Sequence, residues 1–159
     1  MKKFMLTETR ENLVLFIASG AYVGAVPVAP GTFGTLMALP LWWFFNQLPA
    51  GLYLVFLLLL IMVAFWSAGE AERILHQVDS GVIVIDEIVG FLLTTVLISF
   101  SWPRFIAAFL LFRFFDILKP FPVNWCDENL HGGIGVVVDD LVAGIMAYIV
   151  LRLLLVIGL

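Results

Sequence analysis

No Asp, Glu, Lys or Arg occurs between Asn12 and Gly69, an uncharged run nearly three times the ~20 residues that a membrane-crossing helix needs. Such a run does not belong on the surface of a soluble domain. The 159-residue chain is 63% hydrophobic and 13% charged, where an ordinary soluble domain carries about 25% charged residues. A chain this small leaves too much of its area facing water to hide the excess. It therefore reads as one membrane-embedded domain over 1–159.

Long apolar runs bounded by Gly, Pro and charge fall at about 12–26, 34–48, 51–68, 82–100, 104–118 and 136–157. All are expected to be helical, because backbone in lipid must satisfy its own hydrogen bonds and these runs lack the alternation of a barrel strand. The expected fold class is all-α: a polytopic membrane helical bundle with four or five spanning helices plus a re-entrant or interfacial first helix. The stretch 13–30 suggests this exception, being short and broken by Gly20, Gly24, Pro27 and Pro30. If it does not cross, Lys2, Lys3, Arg10, Arg73, Arg113 and Lys119 share one side against Arg104 and Arg152 on the other. The positive-inside rule then turns the polar face to the cytosol.

That polar face also holds the turn 27–35 and the longer connections 69–81 and 120–135, whereas 46–51 and 99–103 are short turns opposite. Trp42, Trp43, Trp66, Trp102 and Trp125 lie near segment ends, as interfacial belts do. Lys2 and Lys3 before an apolar stretch imitate a signal peptide, but Glu8, Arg10 and Glu11 interrupt the pattern.

Several chemistries are excluded early. A net charge of -4 with eight scattered basic residues offers no nucleic-acid patch. Cys126 is the only cysteine, so no internal disulfide forms. No Arg follows it to build a phosphate-binding cysteine loop, and no G-x-x-x-x-G-K-[ST] nucleotide loop is present.

Three clusters remain. Asp86 and Glu87 stand four and five residues into the segment that begins near Val82. Carboxylates there are costly unless paired, hydrated or bound to a cation, the plain alternative being a helix end among headgroups. Gly90, one turn later, admits another backbone or a ligand. Arg113, Asp116 and Lys119 recur at spacing three and form a polar stripe, either an internal salt-bridge ladder or a phosphate grip. His131, Gly132, Gly133 and Gly135 lead into a helix that carries Asp139 and Asp140. The glycines allow an anion-binding turn or a merely flexible one. The acids suit a hard divalent cation such as magnesium. Adjacent helical residues diverge by about 100°, so one of the two acids is expected to face the centre that Asp86 faces. Thr32 and Thr35 open the second segment as a cap or as part of a phosphate-binding helix start. Asp79, just before the fourth segment, reads as solvated or capping. Glu70, Glu72, Arg73 and His76 read as a solvated extension. A cation site, a phosphate grip and a membrane together point to chemistry on a lipid phosphate.

These blocks, from Pro30-Gly31-Thr32-Phe33-Gly34-Thr35 through Asp86-Glu87-Ile88-Val89-Gly90, Arg113 to Asp116, Lys119-Pro120 and Pro122 to His131-Gly132-Gly133, Gly135, Asp139-Asp140 and Ala143-Gly144, resemble the phosphatidylglycerophosphatase A family. Thr35 stands where Ser is expected, and the hydroxyl is kept. The resemblance implies hydrolysis of phosphatidylglycerophosphate to phosphatidylglycerol and phosphate, with Mg²⁺, at the cytosolic face of a bacterial inner membrane. It further implies a metal site among Asp86, Glu87, Asp139 and Asp140. Phosphate contacts would come from Arg113 and Lys119, with Thr32 and Thr35 at the helix start. Asp79 or Asp116 would serve as base or nucleophile, and His131 as proton donor or as a structural turn residue. The rival reading is a small transporter or channel using the same charges as a cation pathway. It would require a polar route to both faces, and 99–103 offers no matching cluster. A lipid-binding subunit would carry a juxtamembrane polybasic cluster, which is absent.

Overall fold

The structure is a computed structural model that describes residues 2–158, with side chains from Glu8 to Gly158; the side chains of Lys2 and Lys3 lie outside the described residues. Among the described residues all regular structure is helical: α1 (Lys2–Ala18), α2 (Pro30–Phe45), α3 (Ala50–Leu75), α4 (Ile85–Thr94), α5 (Trp102–Leu118), α6 (Val123–Asn129) and α7 (Gly132–Val156), with a 3-10 turn at Val23–Ala25.

Among the described residues, α3 and α7, with 26 and 25 residues, are the helices long and apolar enough by themselves to cross a membrane. At ~1.5 Å per residue they reach ~39 and ~37 Å, against a hydrocarbon core of ~30 Å. Much of α3 points outward, with Leu52, Val55, Leu58, Leu59 and Met62 all exposed. The fourth apolar segment departs from expectation. Instead of one helix over 82–100, α4 has 10 residues and ends at Thr94, which is ~15 Å. Eight of those residues are buried, so α4 is a short central helix sheathed by its neighbours. An apolar run signals burial and does not say whether lipid or protein supplies it. The connection 120–135 likewise contains α6, too short for a hydropathy pattern to reveal.

Both short turns meet at the end remote from the acids. Asn46 Oδ1 accepts from the Phe100 N-H (2.8 Å), and Trp42 Nε1 donates to the Ile98 carbonyl (3.2 Å). Trp42 is fully buried and serves as a core anchor there, not as part of an interfacial belt. Trp43, Trp66, Trp102 and Trp125 are exposed.

The opposite end gathers the starts of α2, α4 and α7 and the ends of α3 and α5. Helix α1 stays near it: Arg10 pairs with Glu70 (3.2 Å), and the Ala18 carbonyl accepts from Val84 N-H (2.9 Å). Neither residue approaches the far end.

Candidate active site

Helices α4 and α7 begin at the same end and cross in parallel, and two glycines set their register. A Cβ on Gly90 would sit 2.8 Å from the Asp140 carbonyl oxygen and 2.7 Å from the Phe112 ring; one on Gly144 would strike the Gly90 carbonyl. Only glycine allows so close a backbone approach. One turn before each stands an acid, Asp86 on α4 and Asp140 on α7, 7% and 4% exposed. Glycine contact one turn deeper therefore brings two carboxylates from distant parts of the chain together.

Glu87 completes the group. One oxygen each from Asp86, Glu87 and Asp140 lies within 4.8 Å of the other two, and Asp86 Oδ1 accepts from Glu87 N-H (3.0 Å). A third helix makes room for Glu87: Gly31, in the first turn of α2, has no side chain where a Cβ would overlap Glu87 Oε1 and lie 3.1 Å from Arg113 Nη1. Arg113 comes from α5, with its Nη1 at 3.9 Å from Glu87 Oε1 and 2.5 Å from Asp116 Oδ2. Asp116 also faces Asp140. All five side chains are largely buried.

This inner cluster is unsatisfied in both senses. Glu87 Oε2 and Asp140 Oδ2 are buried acceptors without a hydrogen-bond donor, while Arg113 Nε and Nη1 are buried donors without an aligned acceptor. Buried polar atoms are normally matched, and leaving one unmatched costs about 1–3 kcal/mol, more when it is charged. Three converging carboxylates form an all-oxygen donor set that could hold a hard metal ion.

Asp139 turns away from Asp140, as the offset between helical neighbours requires. It belongs to an outer group with Lys119, which caps the end of α5 in a left-handed conformation (φ 43°). That bend takes Lys119 out of the stripe shared by Arg113 and Asp116. Its Nζ lies 2.5 Å from Asp127 Oδ1 and 2.7 Å from Asp139 Oδ2. Partial burial would lower the Lys119 pKa, but the hydrogen bonds and charges of Asp127 and Asp139 outweigh it and hold the ammonium above its ordinary range. Asp79 and His131 are exposed on this outer side, where they line a recess with Glu72, Asp127 and Asp139. Asp79 N-H donates to Glu72 Oε1 (2.8 Å).

Two sequence readings change here. Thr35 is buried and its hydroxyl donates to the Gly31 carbonyl (2.8 Å); neither it nor Thr32 caps α2, whose N-cap is Ala29. Of the glycines that open α7, Gly133 abuts the backbone of Phe65 and Gly69, and Gly135 the Leu130 carbonyl. They are packing glycines between α7 and its neighbours, not a flexible turn. Glu72 and Asp127 were not among the sequence candidates. Glu72 looked like surface charge, and Asp127 lies on the hidden helix α6. Gly31 stood in a recognised block, though only its contact with Glu87 explains it.

The family model for Phosphatidylglycerophosphatase A matches residues 16–155. A protein of that name from Escherichia coli (strain K12) is 36% identical over 132 residues, covering 82% of this chain and 77% of that protein. Its Haemophilus influenzae namesake is 38% identical over 141 residues, covering 87% of this chain and 86% of that protein. A Bacteroides thetaiotaomicron relative, provisionally named phosphatidylinositol-3-phosphatase, is 35% identical over 147 residues, 87% of this chain and 91% of that protein. No solved structure matches the chain. With its acids, arginine and packing glycines drawn to one end, the chain belongs to the phosphatidylglycerophosphatase A family.

Proposed function

We propose that this enzyme hydrolyses the terminal phosphomonoester of phosphatidylglycerophosphate, giving phosphatidylglycerol and inorganic phosphate, in a magnesium-dependent step of phospholipid biosynthesis. Membership of a phosphatase family and the names of two relatives support the substrate. The observation that carries the chemistry is the set of unmatched acceptors on Glu87 and Asp140 beside the unmatched donors of Arg113. A buried site short of both kinds of partner is complementary to a cation and a phosphate together.

Asp86, Glu87 and Asp140 would hold Mg²⁺, which when bound would neutralise phosphate charge and make water more acidic. Arg113 would bind phosphate oxygens through its unmatched Nε while its Nη1 stays against Asp116, with a fork geometry that lysine cannot copy. Asp116, held by Arg113 and facing Asp140, would take the proton of an attacking water. As the new P-O bond forms, the bond to the glycerol oxygen breaks and that oxygen takes up a proton from solvent. Lys119 is already shared between two carboxylates, so Arg113 is the principal phosphate ligand in this scheme.

The enzyme would be a multi-pass protein of a bacterial inner membrane. Helices α2, α3, α5 and α7 would span, α4 would be a buried half-length helix and α1 would be interfacial. The outward apolar face of α3 supports this reading, as does the position of Arg10 near the acidic end. Arg10, Arg73, Arg113 and Lys119 at that end favour a cytosolic active site. A cation pathway is disfavoured, because among the described residues Arg104 and Arg152 are the charged residues of the far end and no acid joins them.

The test is phosphate release by purified protein from phosphatidylglycerophosphate, with phosphatidylinositol 3-phosphate as comparator. Turnover should require added Mg²⁺ and stop with EDTA. Absence of release from phosphatidylglycerophosphate at any metal concentration would defeat the proposal.

A further inference from the structure

The recess beside the carboxylate cluster has a volume of about 70 Å³ and is lined by Glu72, Asp79, Asp127, His131 and Asp139, among others. None of these side chains takes part in the scheme above. Part of their hydrogen-bonding capacity is used within the protein: Glu72 accepts from Asp79 N-H, and Lys119 joins Asp127 to Asp139. Among the buried side-chain atoms of these residues one is unmatched. Asp139 Oδ1 is buried without a donor, on a side chain only 9% exposed. It calls for a hydrogen-bond donor that the protein does not supply.

The identity of that donor follows by comparison. An anion is disfavoured, since four carboxylates line the recess. A metal cage is disfavoured because, among the described residues, the converging group of three or more acids and histidines is Asp86, Glu87 and Asp140, and no such group forms here. A neutral hydroxyl satisfies a carboxylate oxygen without adding negative charge. At ~10–15 Å³ per water-sized position the recess holds a few non-hydrogen atoms, about the size of a short polyol. Its position matters as much as its size. Asp139 and Asp140 are consecutive, so the recess adjoins the inner cluster and offers a place for the alcohol side of a substrate whose phosphate lies there.

We propose that this recess reads the hydroxyl of the glycerol bridge that joins the terminal phosphate to the rest of the lipid. Asp139 accepts its hydrogen bond, and Asp79 and His131 close the outer side, which makes these residues determinants of specificity. The proposal rests on the phosphatase reading and deepens it: the preferred substrates are phosphomonoesters of lipid-linked polyols.

The experiment compares phosphatidylglycerophosphate with its 2-deoxy analogue, in which a propanediol bridge keeps the length and removes the hydroxyl. The wild-type protein should prefer the natural bridge in kcat/KM by about ten- to a hundredfold, the range for a hydrogen bond to a charged group. In Asp79→Gly that ratio should fall toward one. Asp79 has φ 47°, which glycine adopts freely. His131→Ala, altering an exposed side chain, is the second variant and should lower the ratio in the same direction. Equal wild-type rates on the two lipids would overturn the proposal while leaving the phosphatase reading intact. An undiminished ratio in both variants would overturn it as well. Hydrolysis of neither lipid would refute the phosphatase reading and this one with it.

Discussion

Gly31→Ala isolates the claim that close helix packing positions the catalytic groups. The added Cβ would fall inside the van der Waals surface of Glu87 Oε1 and lie 3.1 Å from both Glu87 Cδ and Arg113 Nη1. Normal contact is about 3.5 Å, so the Glu87 carboxylate must retreat by roughly 1 Å. A displacement of that size among reacting groups costs on the order of a hundredfold in rate. Stability should change far less. Overpacking costs about 1–3 kcal/mol, partly offset by the helical preference of Ala over Gly, up to about 1 kcal/mol. The assay pairs kcat/KM for phosphate release with a thermal melt in detergent. Gly51→Ala is the control, since its Cβ meets nothing within 4 Å. Gly31→Ala should lose about a hundredfold in kcat/KM with a melting temperature near wild type, and Gly51→Ala should match wild type in rate. A Gly31→Ala rate within twofold of wild type would refute the argument that this packing sets the site.

Asp140→Asn should lower turnover by about a hundredfold or more, the scale for removing one electrostatic contact to a reacting phosphate. Membrane insertion of α7 should persist, and near-normal phosphate release would remove Asp140 from the site. Lys119→Gln tests the outer ion pairs through pH. The folded-state pKa of Lys119 is raised above its ordinary 10.5, so its stabilisation is complete below that value and fades as pH climbs through the folded one. The difference in melting temperature between Lys119→Gln and wild type should therefore be equal at pH 6 and pH 9, and a difference that shrinks by pH 9 would contradict the sign. Topology can be read from Val78→Cys in a Cys126→Ser background, because Val78 is 77% exposed beside the recess. An impermeant thiol reagent should label it only after cells are opened; labelling of intact cells would place the site outside.

Hydropathy alone determined that this chain is helical and membrane-like, because the cost of carrying polar groups into an apolar phase adds up residue by residue and is visible in any window. The clustering of acids and bases in a few segments was equally legible, along with the glycines beside them. Which acids meet was decided only by tertiary structure. Gly90 and Gly144 are far apart in sequence, yet their backbone contact sets the register that joins Asp86 and Glu87 to Asp140. The same register leaves Asp139 to Lys119, and a left-handed cap at Lys119 separates it from Arg113. Apolar runs also overstated α4, since a segment buried in protein and a segment facing lipid are equally hydrophobic. Asp127 and Glu72 stayed hidden because each gains meaning only from a neighbour across the recess. Composition is a sum over single residues, whereas a site is a relation among side chains, and the packing of backbones creates that relation.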